Sequence, residues 1–318
     1  MFEALTATPP DAIIALMEMA KSDPNPLKID LGVGVYKSDD GATPIMSAVK
    51  KAEQLWGEEE KTKSYVSTIG NAAFRKEMCA MMFGADNPVI TGGRMASSQA
   101  TGGSGALRLG AEIISAANPG AAVWVSTPTW ANHVPLLSSA GLELKSYPYY
   151  NRETLGVDFD DMTAHLENNA KPGDVLLLHG CCHNPTGADL SEPQWDRITD
   201  LVLDKKLVPF IDLAYFGLGR GMESDTYGVK KIIASVPEAL VAASCSKNFA
   251  LYKERVGLIC VITKDAETAK IAESQLGAIQ RKLVSMPPDH GAALVARILG
   301  DPALYAEWEA ELTHMRER

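Results

Sequence analysis

Residues 175–212 read VLLLHGCCHNPTGADLSEPQWDRITDLVLDKKLVPFID. Two short apolar runs, Val175–His179 and Val208–Asp212, flank a helical pattern over Glu192–Lys205. An unbroken apolar run suits a strand covered on both faces, and parallel strands need a crossover helix between them. The same alternation extends outward on both sides. Val123–Ser126, Leu240–Ala243 and Val256–Ile262 read as further strands, with helices predicted over Gly105–Ala117 and Lys264–Gln280. The expected fold class is α/β, a doubly wound and mostly parallel sheet. Ligands are then expected beyond the C-terminal ends of its strands.

Composition narrows the class. Hydrophobic residues make up 46% of the 318 and charged residues 22%, the balance of a globular protein and not of a disordered or fibrous one. A formal charge of −10 repels nucleic acid and anionic lipid, so neither is an expected partner. No apolar run reaches the roughly 18 residues that span a bilayer. The opening MFEALTATPPDAIIALMEMAK has no basic segment leading into a continuous apolar one, so no secretory signal is read and the cytoplasm is expected. The five cysteines, an odd number in a long chain, argue for reduced thiols over a disulfide framework.

Three regions are expected: an arm over 1–45 with a helix near Asp11–Lys21, a large domain over 46–300, and a final helix over 301–318. In that helix Leu304, Trp308, Leu312 and Met315 form an apolar stripe. It either docks on the domain or begins a longer helix, in which case the stripe is expected to be exposed.

The chemistry-bearing residues follow strand ends. Lys247, in Ser244-Cys245-Ser246-Lys247, comes after an apolar strand, where partial burial lowers an amine's pKa and makes it nucleophilic. Arg255 and the two serine hydroxyls nearby suit a phosphate. Asp212 ends the strand VPFI, where a buried carboxylate needs a cation or donors, and Tyr215 follows it. His179 ends a third strand and leads into Asn184-Pro185-Thr186-Gly187, a sharp turn that aims an amide at the strand ends. Zinc usually takes two well-spaced ligand pairs and no second pair is found, so no metal is expected. Gly103 and Ser104 lie in a glycine-rich opening of a helix, which fits a phosphate but carries neither dinucleotide nor P-loop signature. Trp130 and His133 follow the strand VWVS, where an aromatic plate can cover a ring. Taken singly, each has a plain alternative: a solvated lysine, a turn-capping aspartate, a core tryptophan.

Their joint order is specific. LGVGVYK at 31–37, GGSGALR, PTWANH, HGCCHNPTG, DLAYFGLGRG, SCSKNFALYKERVG and SMPPDHGA together resemble the aspartate/aromatic amino-acid aminotransferases, fold-type I pyridoxal-phosphate enzymes. The resemblance implies pyridoxal 5′-phosphate as cofactor, a homodimer, and amino-group exchange between an acidic or aromatic L-amino acid and a 2-oxo acid such as 2-oxoglutarate. It implies that Lys247 bonds the cofactor's aldehyde and shuttles the substrate proton. Asp212 then holds the pyridine nitrogen, backed by His133 and His179. Asn184 and Tyr215 meet the phenolic oxygen, Trp130 covers the ring and touches substrate, and Gly103, Ser104, Ser244, Ser246 and Arg255 form the phosphate cup. Gly34 corresponds to a backbone contact over substrate. Tyr65 corresponds to a contact with the partner's phosphate, and Arg281 to the reader of the distal carboxylate across the dimer. Ser104, Ala250 and Ser67-Thr68 are mild departures from the usual pattern. In the family the last helix leads into a small domain, whose arginine clamps the α-carboxylate. The rival expectations are another fold-type I pyridoxal-phosphate enzyme, or a truncated cofactor-binding protein with little catalysis.

Overall fold

A computed structural model describes residues 1–8, 12–30, 32 and 34–318. It divides into two compact units, Met1–Pro44 and Ile45–Arg318. In the first unit, helix α1 (Ala12–Ser22) is followed by a turn in which the Lys28 ammonium donates to the carbonyls of Ala20 and Asp23 at 2.5 and 2.7 Å. Asp11, read from sequence as the start of this helix, lies outside the described residues, as do Leu31 and Val33 of the LGVGVYK motif.

The second unit is built on a seven-stranded sheet. In chain order its elements are α2 (Ser47–Glu59), α3 (Ala72–Phe83), α4 (Pro88–Thr91), β1 (Met95–Thr101), α5 (Gly102–Ala117), β2 (Ala122–Thr127), α6 (His133–Ser138) and β3 (Glu143–Pro148). The small hairpin β4 (Tyr150–Asn151) and β5 (Gly156–Val157) and helix α7 (Phe159–Asn169) come next. They lead to β6 (Val175–His179), α8 (Glu192–Lys205), β7 (Val208–Leu213), α9 (Met222–Ser235), β8 (Ala239–Ser244) and β9 (Val256–Ile262). Helices α10 (Ala266–Leu283), α11 (His290–Gly300) and α12 (Pro302–Glu317) complete the unit. The strand order is β1-β9-β8-β7-β6-β2-β3.

Alternate residues of each central strand enter two separate cores. Leu176, Ile211, Val241 and Leu258 face one, and Leu177, Phe210, Ala242 and Ile259 face the other. That double coverage is why these strands are apolar along their length, with polar residues only near the ends that meet the site, His179, Asp212 and Ser244.

Two features depart from the sequence reading. Strand β1, MASSQAT, has no apolar run, yet Ser98 and Gln99 are fully buried. Their polarity is absorbed by hydrogen bonds: Ser98 donates from Oγ to the Gln99 carbonyl at 3.1 Å, Gln99 donates from Nε2 to the Pro288 carbonyl at 2.7 Å, and its Oε1 accepts from Asn71 N–H at 2.8 Å. Strand β9 is antiparallel to both neighbours, unlike the parallel core β3-β2-β6-β7-β8. Residues 245–255 join β8 to β9 without a crossover helix, so the chain must reverse. In consequence β1 runs parallel to β8. The ends of β1, β2, β6, β7 and β8 therefore share one edge of the sheet with the start of β9.

The stripe on α12 is covered, not exposed. Leu304, Trp308 and Leu312 are buried and Met315 packs against the same core. Trp308 stacks on Phe249, with ring centroids 4.6 Å apart. Polar contacts finish the seam, as Glu311 accepts from the N–H groups of Ser47 and Ala48 at 2.7 and 3.1 Å. The negative carboxylate there meets free N–H groups at the N-terminus of α2.

Candidate active site

The shared C-terminal edge collects the residues singled out from sequence. Asp212 and His179 lie directly opposite each other in adjacent strands. Asp212 accepts from His133 Nε2–H at 3.1 Å, and His133 Nδ1 meets the Thr129 hydroxyl at 2.8 Å. Thr129 in turn lies 3.3 Å from His179 Nε2. Since the carboxylate can only accept, His133 donates from Nε2 and takes the Thr129 proton on Nδ1, leaving the Thr129 oxygen to accept from His179. Burial by itself would raise the Asp212 carboxyl, but the hydrogen bond from His133, with the Lys247 ammonium also near, outweighs it, so the group sits below the ordinary carboxylate range. An anion is thereby held ready where a cationic ring nitrogen would be stabilised. His179 itself is pushed down to about 3, first by burial and then by the neighbouring His183.

Lys247 leaves the end of β8 and its ammonium stands 4.7 Å from the centre of the Tyr215 ring. Burial lowers its pKa, with Arg255 adding to the effect and Asp212 opposing it. The lysine amine therefore loses its proton more easily than a surface lysine does, as a nucleophile toward a carbonyl requires. Asn184 hydrogen-bonds the Tyr215 hydroxyl. The peptide bonds Thr127-Pro128 and Asn184-Pro185 are cis.

Beside them lies a cradle for an anion. Helix α5 begins at Gly102, so Gly103 and Ser104 occupy its first turn, where free N–H groups and the positive dipole end meet. Gly102 has φ +70, and a Cβ there would fall 2.3 Å from Arg255 Nη2, so only glycine lets the guanidinium lie against this helix start. A Cβ on Gly103 would fall 3.1 Å from that of Ser244. Arg255 donates to Ser246 Oγ at 3.3 Å, and Ser246 N–H donates to Ser244 Oγ at 3.2 Å. Hydroxyls, backbone donors and one arginine converge here. That donor set fits a phosphate monoester, and its distance in sequence from Lys247 is bridged by the reversal into β9.

Trp130 is half-buried at the same edge, edge-on to His133 at 5.2 Å between ring centres. Tyr65 and Arg281 fall elsewhere. Both are exposed, and they line one cleft of about 330 Å³ with Thr68, Ser285 and Met286. No residue of the Lys247 cluster lines that cleft. Gly34 belongs to the Met1–Pro44 unit, where it is exposed and outside any helix or strand.

Sequence reading missed three members of the site. Thr129 links the two histidines, Asp189 accepts from the N–H groups of Cys182 and His183 at 2.8 Å each, and His183 sits between two turns. Only their nearness in sequence to Trp130 and Asn184 signalled them.

Comparison with known proteins agrees with this geometry. Residues 26–318 match the family model "Aminotransferase class I and II". The chain belongs to that family. It is 45% identical over 318 residues to an aspartate aminotransferase of Escherichia coli, covering 100% of this chain and 80% of the relative. With an aromatic-amino-acid aminotransferase of Pseudomonas aeruginosa the identity is 44%, covering 100% and 79%. Among solved structures, an aromatic-amino-acid aminotransferase from Burkholderia pseudomallei covalently bound to pyridoxal phosphate superposes with a TM-score of 0.97, at 42% identity and with 100% and 79% coverage. The aminotransferase therefore has the fold of the pyridoxal-phosphate enzymes and is a pyridoxal-phosphate-dependent transaminase acting on amino and 2-oxo acids. Among the described residues, no helix is long and apolar enough to cross a membrane.

Proposed function

We propose that this aminotransferase exchanges the amino group of an acidic or aromatic L-amino acid with a 2-oxo acid such as 2-oxoglutarate, as a cytoplasmic homodimer. The observation that carries the reading is the placement of Lys247 over Tyr215 with Asp212 nearby, next to the Gly103–Arg255 anion cradle. Pyridoxal phosphate supplies an aldehyde that takes the amino group and a ring that stores the electron pair left when the substrate Cα–H bond breaks.

The chain's residues supply the rest. Ser104, Ser244, Ser246 and Arg255, with the N–H groups at the start of α5, hold the phosphate. Asp212 holds the ring nitrogen protonated, and its own ionisation is secured by His133. Asn184 and Tyr215 donate to the phenolic oxygen. Trp130 covers the ring face. Lys247 Nζ would take the Cα proton and deliver it to the cofactor's former aldehyde carbon, a role that the burial lowering its pKa favours. The shared cleft of Tyr65 and Arg281 supports a role for both across a dimer interface, with Arg281 reading a distal carboxylate. Gly34 is assigned to substrate contact by its motif alone. Free thiols at all five cysteines support a reducing compartment.

Borohydride reduction of the loaded protein and peptide mapping tests the assignment, with the cofactor expected on Lys247 and nowhere else. Product analysis with aspartate and 2-oxoglutarate is expected to give oxaloacetate and glutamate. Release of ammonia or carbon dioxide in their place would overturn the reading.

A further inference from the structure

The reading above leaves His183 without a task, although it is 2% exposed and sits among the site's elements. Its ring packs against two others. Tyr149 stacks on it with centroids 4.1 Å apart at 15°, and the His179 ring lies tilted at 44° with its centroid also 4.1 Å away. Its two nitrogens reach different turns. Nε2 lies 3.0 Å from Ser126 Oγ, at the end of β2, and Nδ1 lies 2.8 Å from Thr186 Oγ1, just past Asn184.

Hydrogen-bond accounting decides where its proton is. The Ser126 hydroxyl donates to the Pro128 carbonyl at 2.9 Å, and a hydroxyl has one proton to give. Ser126 Oγ must therefore accept from Nε2–H. Thr186 then donates to the bare Nδ1, while its oxygen accepts from Ala188 N–H at 3.2 Å. The opposite tautomer would spend the Ser126 proton on Nε2 and leave the Pro128 carbonyl without it. A doubly protonated ring would leave Thr186 with two N–H donors and no acceptor for its own proton. Burial, with His133 nearby, lowers the imidazole to about 4, which agrees with a neutral ring.

Building on the transaminase reading, we infer that His183 is a positioning residue: a neutral Nε2–H imidazole that clamps the turn carrying Trp130 to the turn carrying Asn184. Pro128 precedes Trp130 by one residue pair, and Asn184 adjoins His183 itself. A shift of either turn changes the distance between the plate over the ring and the amide at the phenolic oxygen. The clamp sets that distance without touching cofactor or substrate. Asp189 fixes the same turn from below through the His183 N–H.

Two measurements test the clamp. The first uses cofactor-free protein labelled with ¹⁵N-histidine, with the His183 signals identified by their loss in His183→Gln. Protonated Nε2 and bare Nδ1 near neutral pH are expected; a proton on Nδ1 overturns the clamp whatever the protein catalyses. The second reads the pH midpoint of the bound cofactor's visible absorption. His183→Phe keeps the stacking but loses both hydrogen bonds, so Asn184 no longer drains charge from the phenolic oxygen. The midpoint is expected to rise by about one unit, the worth of one hydrogen bond to a charged form. His183→Gln, whose amide N–H still reaches Ser126, should recover most of that shift, and cofactor affinity should move less than threefold because the phosphate cradle is elsewhere. Ser126→Ala and Thr186→Val open one end of the clamp each and serve if the Phe variant does not fold. An unchanged midpoint in these variants sinks the proposal. A wild type that fails to transaminate sinks the functional reading instead and leaves the tautomer measurement decisive.

Discussion

The indole N–H of Trp308 donates to the carbonyl oxygen of Asn248 at 2.8 Å, tying the last helix to the residue that follows Lys247. The same indole stacks on Phe249 and is fully buried. The turn that presents the lysine is thus held from outside the site by a side chain far along the sequence.

Replacing Trp308 separates packing from hydrogen bonding. Trp308→Phe keeps a ring against Phe249 but strands the Asn248 carbonyl, and is expected to cost about 1–3 kcal/mol. Trp308→Ala also empties the space and is expected to cost roughly 3–5 kcal/mol. Urea unfolding of the three proteins measures both. A Trp308→Ala protein within ~1 kcal/mol of wild type would mean that α12 is not part of the cooperative core.

Asp212→Ala removes the anion at the ring nitrogen while leaving the phosphate cradle intact. Proton abstraction, followed by stopped-flow absorbance after mixing with aspartate, is expected to slow by at least ~10²-fold, as when a preorganised charge partner is deleted. Cofactor affinity is expected to fall much less. Equal losses in both would show that Asp212 only helps bind the cofactor.

Arg281 lies exposed with Tyr65, and its guanidinium donates to Ser285 Oγ at 2.6 Å. If it pairs with a distal carboxylate, Arg281→Ala should lower kcat/KM for aspartate by about 30-fold or more, equivalent to ~2 kcal/mol, and for phenylalanine by far less. Equal losses on the two substrates would assign the arginine to packing.

His179 and His183, held neutral by burial with pKa values of about 3 and about 4, make folding sensitive to acid. In the unfolded chain both take up a proton near pH 6.5, so below that pH the unfolded state binds more protons than the folded one. Stability is therefore full above pH 6.5 and falls as pH drops toward 4, by up to about 1.4 kcal/mol per pH unit for each histidine. Unfolding free energies measured between pH 4.5 and 7 should show this slope, and the His179→Gln/His183→Gln protein should show a shallower one. Matching slopes would remove the two histidines as the cause.

The strands over 175–179 and 256–262 could be read to the residue because burial on both faces demands a continuous apolar run, broken in the first only by His179 at its end. Strand β1 could not. Gln99 satisfies its side chain and carbonyl through Asn71, Gln280 and Pro288, and Ser97 meets the Arg75 guanidinium, partners remote in sequence that local pattern does not reveal. The stripe on α12 was visible from helical spacing, but spacing says nothing about its cover, which α2 and the Lys247 turn supply.

For the site, the sequence by itself determined which chemistry was present: a lysine, an aspartate and a phosphate-binding set, each placed after an apolar run. Tertiary structure alone decided how they meet. The antiparallel return of β9 brings Arg255 back to Gly102 and Ser246, and the pairing of β6 with β7 sets His179 against Asp212. It also gave His183, Thr129 and Asp189 their positions, because a hydrogen bond depends on where two chain segments cross and not on which residues stand next to each other in the chain.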